Sequence, residues 1–133
     1  KKKPVLGICL GMQIMTNYSE EGLKDGLGWI DGNAAAFKVK LRTPQIGWNS
    51  VKILKKNKLL STNDLISTRN EFFFVHSYFV KLNDKKDGLF ETTYSNKTFY
   101  SGFSKNNIYG VQFHPEKSYD IGNKLISNFI KNV

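Results

Sequence analysis

The sequence predicts an α/β domain, and three observations carry that reading. The apolar run Pro4-Val5-Leu6-Gly7-Ile8 stops at Cys9 and passes at once into Leu10-Gly11-Met12-Gln13, a strand turning directly into a helix. A second apolar run near the other end, Ile108-Tyr109-Gly110-Val111-Gln112-Phe113, stops at His114-Pro115-Glu116. Between them lie several β-rich segments, and the chain closes on an amphipathic helix with Ile121, Leu125, Phe129 and Ile130 on one face.

Taken in order, Val5–Ile8 reads as a short buried strand, and a helix runs from Leu10 through Met15 to about Asn17. Gly22, Gly26, Gly28 and Gly32 make 22–32 a loop with short turns. Segments 34–39 and 48–54 read as strands, with Trp48 read first as a core residue. Segment 71–80 is the most strongly β, holding Phe72, Phe73, Phe74, Val75, Tyr78, Phe79 and Val80. His76 within it reads as a core histidine with its hydrogen bonds satisfied. Ser61-Thr62-Asn63-Asp64 reads as a turn. Segments 88–94 and 98–103 continue the strands, Lys105-Asn106-Asn107 makes a tight turn, and 108–113 is the last strand. There is no internal repeat and no linker.

A chain of 133 residues, 40% of them hydrophobic, suits one domain with a real core. No apolar run has the length of a membrane span and no secretory apolar region is present, so no membrane partner is expected. A single cysteine leaves nothing for it to pair with inside the chain and suits a reducing cytoplasm. The net charge is +9, almost all of it from lysine, densest at Lys52, Lys55, Lys56 and Lys58. A nucleic-acid surface would interleave aromatics with that charge or carry a recognition motif. Here the aromatics lie in apolar strands, so the lysines read as a solvated face. Lys1 to Lys3 read as the end of a preceding surface helix. Two histidines and one cysteine, far apart in sequence, imply no metal site, and no cofactor is implied.

The chemistry lies in the two strand ends. Gly7-x-Cys9-x-Gly11 has the form of a nucleophile elbow, with sulfur where hydrolases carry a serine oxygen. A residue at such a turn sits in strained backbone with close neighbours, so side chains at i−2 and i+2 are expected to collide. The helix N-terminus is expected to stabilise a thiolate, and its free N–H groups to hold an oxyanion. A lone cysteine in an apolar strand is otherwise a small hydrophobe; the flanking glycines and the abrupt end of the run argue against that here. A cysteine nucleophile needs a base, and imidazole is suited to neutral pH. His114 and Glu116, two apart in extended backbone, project to one side, so the carboxylate can orient the ring. Pro115 between them stiffens the segment.

Together, Gly-Ile-Cys-Leu-Gly-Met-Gln and Gly-Val-Gln-Phe-His-Pro-Glu-Lys-Ser resemble the class I (triad) glutamine amidotransferases, which release ammonia from glutamine with Cys, His and Glu. The resemblance implies a three-layer, flavodoxin-like α/β fold. Carried over by position, Cys9 is the nucleophile, His114 the base and Glu116 its orienting partner. Gly11, Gln13, Glu21 and the backbone of Ser77 and Tyr78 stand at substrate-glutamine contacts, and the Leu10 N–H at an oxyanion donor. Pro44-Gln45-Ile46-Gly47-Trp48-Asn49 and Phe74-Val75-His76-Ser77-Tyr78 further resemble the glutaminases of imidazole glycerol phosphate synthases, in histidine biosynthesis. That implies a (β/α)8-barrel cyclase as partner, with Trp48 and Lys117 at the junction. Gln45 departs from the His common there, which keeps open a paralogue feeding a surface-sugar synthase. A cysteine peptidase and an inactive fragment remain the other readings. The elbow strand begins at residue 4, where this family has earlier strands and a second oxyanion donor. The resemblance therefore implies that 1–133 is a C-terminal portion of one glutamine amidotransferase domain.

Overall fold

A computed structural model describes residues 2–39 and 41–133. The first half of the chain forms β1 (Val5–Ile8), α1 (Leu10–Ile14), β2 (Tyr18–Ser19), β3 (Lys24–Asp25), β4 (Gly32–Ala36), β5 (Gln45–Asn49), β6 (Lys52–Ile53) and α2 (Thr62–Ser67). The second half forms β7 (Phe72–His76), β8 (Tyr78–Leu82), β9 (Gly88–Tyr94), β10 (Lys97–Lys105), β11 (Ile108–Val111) and α3 (Tyr119–Asn132). Lys2 and Lys3 are irregular; Lys1, of the expected helix end, lies outside the described residues.

The main sheet runs β1-β11-β10-β8-β4-β2-β3, with β9 on β10 and β6 on β9. It is mixed. Among the described residues only β1–β11 and β2–β4 are parallel, so the doubly wound character is confined to those pairs. Period-two alternation distributes the apolar side chains to its two faces. Tyr109 and Val111 of β11 and Phe79 of β8 join one core with Leu125 of α3, Leu59, Phe72 and Phe74. Ile108 of β11 and Val80 and Leu82 of β8 join a second core with Met12 and Met15. Helix layers on both faces give the expected three layers. Ile130 is 73% exposed, so the apolar face of α3 is Ile121, Leu125 and Phe129 without it.

Several boundaries differ from the sequence reading, each for a physical reason. α1 ends at Ile14 because the next segment takes its carbonyls: Leu27 N–H donates to Ile14, Trp29 N–H to Met15 and Gly28 N–H to Thr16. The 22–32 loop includes β3, paired with β2. β4 starts and ends earlier than 34–39. The 48–54 and 71–80 strands are both broken. β5 and β7 form a separate two-stranded sheet, while β6 and β8 return to the main one, so the chain changes sheet at Ser50-Val51 and at Ser77. The expected turn at 61–64 is the start of α2. Ser61 Oγ accepts from Asp64 N–H at 3.1 Å and the Asp64 carboxylate accepts from Ser61 N–H at 2.9 Å, a reciprocal capping box.

The elbow glycines divide unequally. A Cβ on Gly7 would stand 2.6 Å from the Gly11 carbonyl oxygen and 2.8 Å from the Met15 methyl, so β1 and α1 meet only because residue 7 is glycine. A Cβ on Gly11 would meet nothing within 4 Å. The expectation that both flanking positions collide is therefore corrected: Gly11 supplies the backbone that Gly7 approaches. Gly7→Ala should lower stability by about 1–3 kcal/mol through overpacking, while Gly11→Ala, a better helix former, should not lower it. Urea unfolding of the two variants beside the parent chain checks the contrast.

Candidate active site

Cys9 occupies φ 56, ψ −109, the strained elbow that the glycine spacing anticipated. Its N–H donates to the Val111 carbonyl at 2.8 Å, extending the parallel β1–β11 ladder one residue past its end. Past the end of β11 the chain continues through Gln112 and Phe113 to His114. The backbone of His114 is clamped from two directions. Its N–H donates to the Phe73 carbonyl at 2.9 Å, and its carbonyl accepts from the Ser118 hydroxyl at 2.5 Å. Ser118 Oγ also accepts from Phe73 N–H at 3.0 Å, which closes the link to β7. Gly122 allows α3 to press on this turn, since a Cβ there would lie 1.8 Å from the Pro115 carbonyl oxygen.

His114 Nδ1 lies 2.8 Å from Glu116 Oε2. The carboxylate can only accept when ionised, so Nδ1 carries the hydrogen and the neutral ring has its lone pair at Nε2. Cys9 Sγ lies 3.7 Å from the Val75 carbonyl oxygen as donor and accepts from Gln112 Nε2 at 3.6 Å. Burial pushes the Cys9 thiol up from its ordinary value. The Leu10 N–H and the Gln112 amide pull it down, while Glu116 and Glu21 push it up. The expected thiolate stabilisation by the helix end is therefore outweighed. α1 has five residues and no acidic or basic end group, too short for a strong macrodipole.

The other expected residues are placed as follows. Leu10, Gln13 and Glu21 line one cavity of about 260 Å³ with Ile14, Ser19 and Lys24. Ser77 and Tyr78 do not line it. Gln13 is buried, and its amide nitrogen is 3.0 Å from both the Tyr78 carbonyl and Gln112 Oε1, so its two N–H groups are committed inside the protein. The Ser77 carbonyl accepts from Phe37 N–H, and the Tyr78 carbonyl from both Gln13 and His76. Trp48 is 45% exposed, which corrects its reading as core. It stacks on Tyr119 at 5.6 Å and 12° and meets Phe73 edge-on at 5.8 Å. Lys117 Nζ stands 6.0 Å over the Phe73 ring. A larger cavity, about 530 Å³, opens away from Cys9, beside Trp48 and Tyr119 with Arg69, Glu71 and Asp120.

The sequence reading missed Gln112, Val75 and Phe73. Gln112 stood in a string read as apolar strand; a wholly buried amide there is the only signal it gives. Val75 and Phe73 contribute backbone carbonyls, which no side chain announces.

Comparison with known proteins gives the family. The family model for glutamine amidotransferase class-I matches residues 1–133, and the chain belongs to that family. Among curated relatives, the imidazole glycerol phosphate synthase subunit HisH 2 of Methanococcus maripaludis is 53% identical over 98% of this chain. The HisH subunit of Leptospira borgpetersenii is 46% identical over 97% of it. This chain spans 64% of the length of each of these two relatives. Among solved structures, a GMP synthase protein of Thermoplasma acidophilum superposes with TM-score 0.64 at 22% identity, covering 96% of this chain and 55% of that one. A Thermotoga maritima glutamine amidotransferase gives 0.58 at 22%, covering 96% and 46%. These structures share the fold.

His76, unlike His114, is buried, ringed by Phe37, Phe74 and Phe99 at centroid distances of 5.0, 5.7 and 5.4 Å. Nδ1 donates to the Tyr78 carbonyl at 2.8 Å and Nε2 accepts from Gln45 Nε2 at 2.7 Å. It is the satisfied core histidine expected. Burial lowers it from 6.5 to about 4. Between those values the unfolded ring binds a proton and the folded one does not, so stability falls as pH drops from 6.5 toward 4. The loss from this group is at most about 3 kcal/mol. Unfolding titrations at stepped pH should show that acid-side slope, and His76→Gln, with no proton to bind, should flatten it.

Proposed function

We propose that this protein is the glutaminase of an ammonia-transferring synthase, a cytoplasmic enzyme that turns glutamine and water into glutamate and ammonia. One observation carries the reading: Cys9, strained at the end of β1, is hydrogen-bonded to β11, which leads in three residues to an imidazole held by a carboxylate at 2.8 Å. Nε2 of His114 takes the thiol proton as Cys9 sulfur attacks the carboxamide carbon. The Leu10 N–H faces the oxyanion that forms. Collapse expels ammonia, protonated by the imidazolium. Water, deprotonated by the same ring, hydrolyses the thioester, and glutamate leaves. A thiol raised by burial makes this a general-base mechanism, with the proton moving during attack rather than before it.

The cavity beside Leu10 supports free glutamine over a peptide. Glu21, Asp25 and Lys24 set charges of both signs at its wall, the carboxylates suited to the ammonium and the lysine to the carboxylate of an amino acid. Gln13 lines it too, presenting its amide oxygen rather than its committed N–H groups. Gly11, Ser77 and Tyr78 lie outside this cavity, and backbone contacts from them to glutamine rest on the family resemblance alone. The names of the relatives, HisH subunits of imidazole glycerol phosphate synthase, support imidazole glycerol phosphate as the destination of the ammonia and a second synthase subunit as the partner, which the family resemblance makes a (β/α)8-barrel cyclase. Trp48, with Lys117 nearby, is the exposed aromatic anchor for that partner; buried aromatic anchors carry most of an interface's affinity.

Cys9→Ala in the full chain should abolish glutamine hydrolysis with the fold kept, and His114→Ala should leave a trace. Losses at such groups are orders of magnitude, so a glutaminase assay finding more than about a tenth of parent turnover in Cys9→Ala overturns the assignment. Trp48→Ala should weaken the complex with the synthase partner by tenfold or more, as hot-spot truncations do, with the melting temperature little changed. Calorimetric titration showing unchanged affinity would remove Trp48 from the interface.

A further inference from the structure

A buried file of side-chain amides leads to the Cys9 sulfur, and its polarity is set by one backbone oxygen. The Tyr78 carbonyl can only accept. Lying 3.0 Å from Gln13, it fixes that side chain with its nitrogen inward. The second hydrogen on the same nitrogen points 3.0 Å to Gln112, which must therefore present its oxygen. Gln112 is left with its NH₂ group toward Cys9 sulfur, 3.6 Å away. Turning either amide over would set two oxygens, or two N–H groups, against each other in a site where Gln112 is 0% and Gln13 4% exposed. The Tyr78 carbonyl is held from its other side by His76 Nδ1 at 2.8 Å.

We propose that Gln112 is a positioning residue for Cys9, its amide N–H aimed at the sulfur by a hydrogen-bond order that starts at the Tyr78 carbonyl and passes through Gln13. The proposal rests on Cys9 being the reactive group, whichever amide it cleaves. While the sulfur holds its proton, that proton points to Val75 oxygen at 3.7 Å. Once the proton leaves, the sulfur needs donors. Those facing it are the Leu10 N–H from α1 and the Gln112 amide from the end of β11. The charged groups acting on it, Glu116 beside His114 and Glu21 after β2, are both anionic and oppose the thiolate. Gln112 works against them with no charge of its own.

The test reads the thiol directly. The pH profile of Cys9 alkylation by iodoacetamide in the full chain reports its ionisation without glutamine or a partner. Gln112→Leu should move the midpoint up by about one unit, about tenfold slower alkylation at neutral pH. Gln13→Leu, which leaves every direct contact of the sulfur in place, should move it the same way by less. The double variant should match Gln112→Leu alone, because Gln13 acts only through Gln112. An unmoved midpoint in folded Gln112→Leu, or shifts that add in the double variant, overturns the proposal. In the parent chain the side-chain ¹⁵NH₂ resonance of Gln112 should titrate with the alkylation midpoint. A flat resonance overturns the proposal even where the variants do not fold. Glutaminase activity surviving in Cys9→Ala would remove the proposed function while leaving this profile as it is.

Discussion

The hydrogen bond from Cys9 N–H to the Val111 carbonyl is the constraint on which the site depends. It carries the parallel register Gly7–Gly110, Ile8–Val111 one step beyond β1. Parallel pairing brings both strands to their C-terminal ends on the same edge, so the residues that follow them leave the sheet on one side. Cys9 follows one directly, and His114 follows the other by three residues. A slip of one residue would send every side chain of β1 to the opposite face and carry the elbow away from the base. The two-sided core enforces the register: Ile108 of β11 faces the Met12 cluster and Tyr109 the Leu125 cluster, so neither can change sides without burying a mismatch. Phe72 and Phe113, stacked at 3.9 Å, lock the last step before His114.

Within that frame the electrostatics of the sulfur are a contest that burial wins. Half-buried among apolar side chains, the thiol is raised although an N–H and an amide are aimed at it. Two carboxylates add to the rise. The resting site therefore holds a thiol, and in the proposed mechanism a base must remove its proton as substrate arrives. That places the demand on His114, whose ring is tautomer-fixed by Glu116 and whose backbone is tied at both N–H and carbonyl. The rigidity of the fold serves His114 rather than raising the acidity of the Cys9 thiol.

The elbow, the His-Pro-Glu pair, the buried strands and the apolar face of α3 were legible because each is written in side-chain type and spacing. Gly7 and Cys9 announce a turn that few other residues allow, and the apolar runs at 71–80 and 108–113 announce buried strands. What escaped was carried by backbone or by paths between sheets. Ser50-Val51 and Ser77 hold no breaker residue, yet both are where strands leave one sheet for another. α2 hid in a string that reads as a turn, since Ser and Asp favour turns and caps alike, and only the reciprocal bonds between Ser61 and Asp64 decide for a helix. Gly11 looked sterically required by symmetry with Gly7, but α1 turns its Cα toward open space. Gln45, which the resemblance marked as a departure, is buried against His76 and bonded to Asn49, so it serves the interior rather than a surface.

The break into two sheets explains how one strand serves both the interior and the outer face. On β5–β7, inward positions Gln45, Asn49, Phe72, Phe74 and His76 face the core, while Ile46 and Trp48 are turned out. Trp48 is paired in register with Phe73. The Phe73 carbonyl holds the His114 N–H, its N–H binds Ser118, and two residues on, the Val75 carbonyl faces the Cys9 sulfur. The exposed tryptophan on one side, and Cys9 and His114 on the other, are thus fastened to the two edges of the same short strand. Tyr119, held at φ 53 directly after Ser118, stacks on Trp48 and closes this circuit from the other end. A contact on the Trp48 face is mechanically a contact on β7, and β7 is where the backbone of the base is anchored. Had 48–54 and 71–80 stayed continuous strands of the main sheet, that face would have been buried, and the outer surface would share no element with the site.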